Sequence, residues 1–230
     1  IHLPANLKLI QYQAFYSSAV SEIHIEDLDA WCGISMMDKS FGGSYSLYID
    51  NKPLTNVEIP ENITSLSYRA FWHCKSVEHL KLHDNFTKID SYAFNSNTNL
   101  QTVDLGDSIE EIGRFSFAFC DKLTTITIPE SVTTIDDTAF HYCNPDSIVF
   151  PESLQYIGGG CCRYWKNLKT IYSKSQIPPF CDEDPDNFGV YSFGGLTSTD
   201  IPVYVPVGSA DLYRNAQGWS YFNNFIETDE

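Results

Sequence analysis

A phenylalanine returns at a fixed interval along the middle of this chain: Phe71, Phe94, Phe117 and Phe140 keep a constant step of 23 (94−71, 117−94, 140−117). Other apolar positions keep the same step. Ile59, Leu82, Leu105 and Ile128 form one row, and Leu66, Ile89, Ile112 and Ile135 form another. A period of this size belongs to chains built from one small unit stacked on itself. A single unit cannot bury its own apolar side chains, so neighbours must cover both of its flanks. The rows therefore require an elongated, β-rich repeat solenoid rather than one closed core.

The clearest unit is LTTITIPESVTTIDDTAFHYC, residues 123–143. Its L-x-x-I-x-I segment alternates, as a strand with one buried face does. Pro129 follows, and Pro4, Pro60 and Pro151 hold the same place in other units, where no ladder donor is needed. V-x-x-I-x-x-x-A-F then sends a second set of apolar groups inward from the opposite wall. The pattern predicts about six 22–23-residue coils within positions 1–172. The first covers 3–25, four good copies run through the centre, and a worn copy with Cys161-Cys162 in place of Ala-Phe ends the series. Two stretches fall outside the register. Residues 26–56 read as an insertion, with a short strand at SLYID and a turn at DNKP. Residues 173–230 read as a capping segment: irregular loop, a strand at DIPVYVPV, then a helix capped by Ser209 and ended by Gly218.

Charge and cysteine content narrow the function classes. The chain carries 30 acidic against 14 basic residues, a net charge of −16. An acidic chain repels phosphate backbones and anionic lipid, so nucleic acid is excluded as an expected partner. No apolar run reaches the roughly 20 residues of a membrane span, and the start of the chain already follows the repeat rather than a leader pattern. Of seven cysteines, Cys74, Cys120 and Cys143 share one repeat position, with Asn97 in the remaining copy. Stacked buried thiols fit this row. So does a Cys120–Cys143 disulfide, since adjacent coils lie about 4.8 Å apart.

The unit L-x-x-I-x-I-P-x-x-V-x-x-I-x-x-x-A-F-x-x-C resembles the leucine-rich repeat of the BspA-like, or treponemal, class. The insertion and the ending also resemble pieces of such proteins from Bacteroides-type gut bacteria. The resemblance implies a secreted or surface-attached bacterial protein, held in the lipid-anchored case by a segment outside this chain. It also implies adhesion to host extracellular matrix protein, surface glycan or another bacterial surface protein. It transfers no ligand residue by residue, because the motif is a core motif.

Chemistry must then sit on what does not repeat. Outward positions on the strands give two rows across the concave sheet. One runs His24, Glu58, Lys81, Asp104, Thr127, Val149, Tyr172; the other runs Glu22, Asn56, His79, Thr102, Thr125, Ser147, Thr170. From these rows the candidate binding residues are Glu58, His79, Lys81, Thr102, Asp104, Thr125, Thr127 and Tyr172, with Trp31, Tyr45 and Tyr48 from the insertion. The opposing reading is ordinary cross-strand pairing, worth about 0.2–1 kcal/mol per pair, with Trp31 and Tyr48 folded back onto an apolar flank. Asp182, Asp184 and Asp186 imitate the start of a calcium loop, but Pro185 interrupts it and Phe193 stands where its glutamate belongs. No catalytic motif is present. The sequence thus predicts a monomeric, non-enzymatic binding protein without cofactor or metal; the alternative is a stiff spacer with no ligand of its own.

Overall fold

The computed structural model of the chain describes residues 1–37, 40–184 and 190–229. Its coils stack through two walls. On the front wall, Asn56–Glu58, His79–Lys81 and Thr102–Asp104 pair in parallel, with Val57, Leu80 and Val103 in register. On the back wall, Lys88–Ile89, Glu111–Ile112, Thr134–Ile135, Tyr156–Ile157 and Phe180–Cys181 form one continuous parallel sheet. The step of the repeat sets both registers, because each strand meets the equivalent strand of the next coil. Between the walls the rings of Phe71, Phe94, Phe117 and Phe140 stack at 5.3, 5.4 and 5.4 Å, nearly parallel.

The turn returning each coil from back wall to front has two corners that the sequence did not signal. Arg69, Tyr92, Phe115 and Thr138 occupy one, and His73, Ser96, Phe119, Tyr142 and Tyr164 the other, all with φ between 55° and 64°. Left-handed backbone usually selects Gly or Asn. Here hydrogen bonds between coils hold it: the Tyr92 amide donates to the Arg114 carbonyl at 2.9 Å, and the Phe119 amide to that of His141 at 2.7 Å. Gly158 marks the tightest approach of the back wall, since a Cβ there would lie 2.3 Å from the Asp137 amide nitrogen.

The cysteine row is a row of donors. Cys120 Sγ reaches the Phe94 carbonyl at 3.3 Å, and Cys143 Sγ that of Phe117 at 3.2 Å. Asn97 Nδ2 does the same to Phe71 at 2.7 Å, and Trp165 Nε1 to Phe140 at 2.8 Å. In these coils the position adds a side-chain donor to a buried carbonyl that already accepts one backbone amide, a role Cys, Asn and Trp can each fill; Cys74, in the same row, meets Ser76 Oγ at 3.4 Å instead. All seven cysteines are buried free thiols, so the Cys120–Cys143 disulfide is not formed.

The segment 26–56 departs from expectation. Most of it is a coil. Ser35–Met36 pairs with Leu9–Ile10, Phe41 with Phe15, and Ser46–Ile49 with Glu22–His24, all in parallel. Leu9 to Ser35 is a step of 26 (35−9) and Glu22 to Ser46 a step of 24 (46−22), which hid this coil from a register of 23. The additions are a short helix, Leu28–Cys32, capped by Asp27, and a hairpin returning through Lys52–Pro53. Asp50 and Asn51, both at positive φ, make the hairpin turn expected at DNKP.

The front sheet also continues past residue 173. Ser147–Phe150, Thr170–Ser173, Pro202–Pro206 and Asn224–Thr228 form a four-stranded parallel sheet. The expected helix is present at Ala210–Asn215, with two changes. The Ser209 hydroxyl donates to the Pro206 carbonyl instead of capping the helix. The helix stops at Ala216, while Gly218 opens a 3-10 turn, Trp219–Tyr221. Trp219, Phe222 and Phe225 are buried and close this end of the core.

Candidate functional site

The front wall holds a groove of about 650 Å³. Its floor is the outward faces of three strands: Asn56 and Glu58, His79 and Lys81, Thr102 and Asp104. Its lip is apolar and comes from the short helix and the hairpin: Leu28, Ile49 and Leu54, all half-buried. Five of the expected binding residues (Glu58, His79, Lys81, Thr102 and Asp104) are therefore brought together, and all five are exposed.

The electrostatics of the floor are unusual for neighbours in a ladder. Lys81 stands between Glu58 and Asp104, about 4.8 Å from each along the sheet. Yet among the described residues its ammonium makes no ion pair. On the back wall the same ladder relation gives a Lys88–Glu111 pair at 2.7 Å. Asp104 instead accepts from the Gly106 amide at 3.2 Å, and His79 Nδ1 shares a hydrogen bond with Thr102 Oγ1 at 2.7 Å. Among the described residues the Glu58 and Lys81 side chains thus have no hydrogen-bond partner.

The other expected residues lie elsewhere. Trp31 and Tyr45 are fully buried and are corrected from binding candidates to core. Trp31 Nε1 donates to the Ala70 carbonyl at 3.1 Å, and its ring packs against Tyr45 and Phe71. Both rings fill core volume beneath the short helix. Burial drives the Tyr45 phenol well above its ordinary pKa. Tyr48 stacks on His24 at 4.9 Å, and His24 on His2 at 4.4 Å. The expected step from His24 to Glu58 is therefore not made; Tyr48 occupies it, and the hairpin ends that sheet at Pro53. Thr127 bridges Val149, but no pairing joins it to Asp104 among the described residues, nor Thr125 to Thr102. A small cleft between Asp104 and Thr127 marks this seam. Tyr172 lies beyond it, stacked on Tyr204 at 4.8 Å, in an exposed row with Val149 and Ile226.

Sequence reasoning missed the lip residues, because Leu28, Ile49 and Leu54 sit in the stretch that seemed out of register. The calcium-like run fares differently: Pro185, Asp186 and Asn187 lie outside the described residues. Among the described residues, no group of three or more His, Cys, Asp and Glu is placed to hold a metal ion. No described helix is long and apolar enough to cross a membrane.

Short parallel strands, repeating at a constant step around a phenylalanine spine, define a leucine-rich-repeat solenoid. The sequence pattern of the BspA type leucine rich repeat region matches residues 43–169 in 6 copies, and the chain belongs to that family. It is a family of surface proteins, typically non-enzymatic and generally protein-binding. Among solved structures, the pneumococcal vaccine antigen PcpA matches 100% of this chain and 68% of its own, at 19% identity and a TM-score of 0.55. A leucine-rich repeat protein of Bacteroides ovatus matches 66% of this chain and 48% of its own, at 18% identity and a TM-score of 0.46. A leucine-rich cell surface protein of Faecalibacterium prausnitzii matches 76% and 43%, at 22% identity and a TM-score of 0.47. This chain thus spans under half the length of the latter two. No curated protein matches the sequence.

Proposed function

We propose that this chain acts at a bacterial cell surface or outside the cell as a non-enzymatic adhesion module, with the front groove as its contact site. The partner class is a host matrix protein, another bacterial surface protein or a surface glycan. The observation that carries this reading is the Glu58–Lys81–Asp104 row, without an ion pair among the described residues, beneath an apolar lip. Charges without ionic partners suit recognition, and the lip supplies the apolar contact that surface interfaces place beside them. Immobilised matrix proteins and mucin, probed with the wild-type chain, test it. Binding is expected to weaken about tenfold or more in Lys81→Glu, through reversal of one charge contact. Binding untouched by Lys81→Glu would remove the groove from the reading. Absence of any partner would favour a rigid spacer.

A further inference from the structure

The second left-handed corner of each coil, none of whose residues lines the groove, forms a surface of its own. Amides of His73, Ser96, Phe119 and Tyr142 donate to the carbonyls of Asn95, Ala118, His141 and Arg163. Equivalent side chains therefore stand side by side about 5 Å apart along the solenoid. Phe119, Tyr142 and Tyr164 stack at 5.3 and 4.6 Å. The column ends on Gly195, where an added Cβ would meet the Tyr164 ring at 2.6 Å. It begins above Ser96, which stands where the next ring would be. Phe119 thus has one ring face that meets no other ring of its column. Phe119 and Tyr142 are exposed, at 41% and 38%.

The charge here is inverted relative to the whole molecule. Lys75, Lys122, Arg163 and Lys166 flank the rings within two residues of the corner or its buried rung, against one carboxylate, Asp121. The chain as a whole carries 30 acidic and 14 basic residues. Arg163 lies over the Tyr164 ring at 4.7 Å, and Lys122 Nζ donates to Asn99 Oδ1 at 2.7 Å. Among the described residues the Lys75 and Lys166 side chains have no ionic partner. A cationic strip on an acidic body is where an anion settles.

We propose that this corner strip binds an anionic glycan, a linear chain of sulfated or carboxylated sugar rings. The strip follows one stacked column of side chains, Phe119, Tyr142 and Tyr164, from coil to coil. An acidic protein face would need about 800 Å² per partner to form a stable contact. Ring edges and the open Phe119 face suit the C–H faces of sugars, with the half-buried Ser96 hydroxyl beside them. The spaced cations suit anionic groups repeated along a chain.

The test titrates the wild-type chain with a heparin oligosaccharide and a hyaluronan oligosaccharide at low and physiological salt. Neutral dextran and poly-glutamate serve as controls. At least one anionic glycan is expected to bind, more weakly at higher salt, and which of the two binds identifies sulfate or carboxylate as the group read. Lys122→Gln/Arg163→Gln is expected to lose about tenfold or more in affinity. Tyr142→Ala is expected to weaken binding with an unchanged salt slope, while Tyr142→Phe keeps most of it. No glycan binding at low salt, equal binding of poly-glutamate, or full affinity in either the charge or the Tyr142→Ala variant would overturn the proposal.

Discussion

Phe117 and Phe119 are two residues apart and have opposite roles. Both belong to stacked ring rows along the solenoid, Phe117 with Phe94 and Phe140 at 5.4 Å, Phe119 with Tyr142 at 5.3 Å. Phe117 is fully buried, and its row is complete through the central coils. Phe119 is 41% exposed, and its row is broken by Ser96. The backbone spacing is the same for both. What differs is the requirement for volume: inside, an absent ring leaves a cavity; outside, water fills the place. The inner row is consequently uniform, and the outer row can change from coil to coil and record a ligand.

That comparison can be broken by substitution. Phe117→Ala should cost about 3–5 kcal/mol as a cavity in mid-array, read as a fall in the urea midpoint; a loss under about 1 kcal/mol would contradict the placement of the spine. Cys143→Ala comes next. It takes from the buried Phe117 carbonyl its side-chain donor and leaves the Cys120 amide as the remaining one, which with the small cavity should cost about 1–2 kcal/mol. Cys143→Asn should recover part of that, as Asn97 already makes the equivalent bond. If both variants unfold at the same midpoint, the donor explanation of the row is wrong. Phe119→Ala should be milder, about 0.5–1.5 kcal/mol for one exposed ring pair; a loss as large as that of Phe117→Ala would erase the distinction between the rows.

The smallest expected effect is a pH dependence at the same corner. Burial lowers the pKa of His141 and of His73, and the nearby Arg163 and Arg69 add to the shift. For His141 the Gly160 backbone opposes it. A lowered folded pKa means that the unfolded chain takes up the proton first. Stability is therefore complete above the ordinary histidine pKa of about 6.5 and declines as pH falls through and below it. Melting temperatures of the wild type and of His73→Gln/His141→Gln should diverge between neutral and mildly acidic pH, with the wild type losing more. Parallel profiles would show that these imidazoles do not contribute.

Much of the candidate site was legible because a ladder position follows from counting. Glu58, Lys81 and Asp104 share one row in the sequence and one row in space, since each strand pairs with its equivalent one repeat further on. Counting failed where the step changed. Ser35–Met36 and Ser46–Tyr48 stack on the first coil at steps of 26 and 24, so counting by 23 reads their coil as an insertion and offers Trp31 and Tyr45 as binding candidates. It failed again at the left-handed corners. Phe115, Phe119 and Tyr142 carry no glycine or asparagine signal, because hydrogen bonds to the next coil hold their backbone in place.

The sequence by itself determined the repeat, the inward rows and the order of residues along each outward row, because apolar periodicity is set by what must leave water. Tertiary structure decided which rows are continuous and which side chains remain unpaired. The seam between Asp104 and Thr127, the lip over Lys81 and the exposed corner rings all depend on distances between coils, and no single coil encodes those.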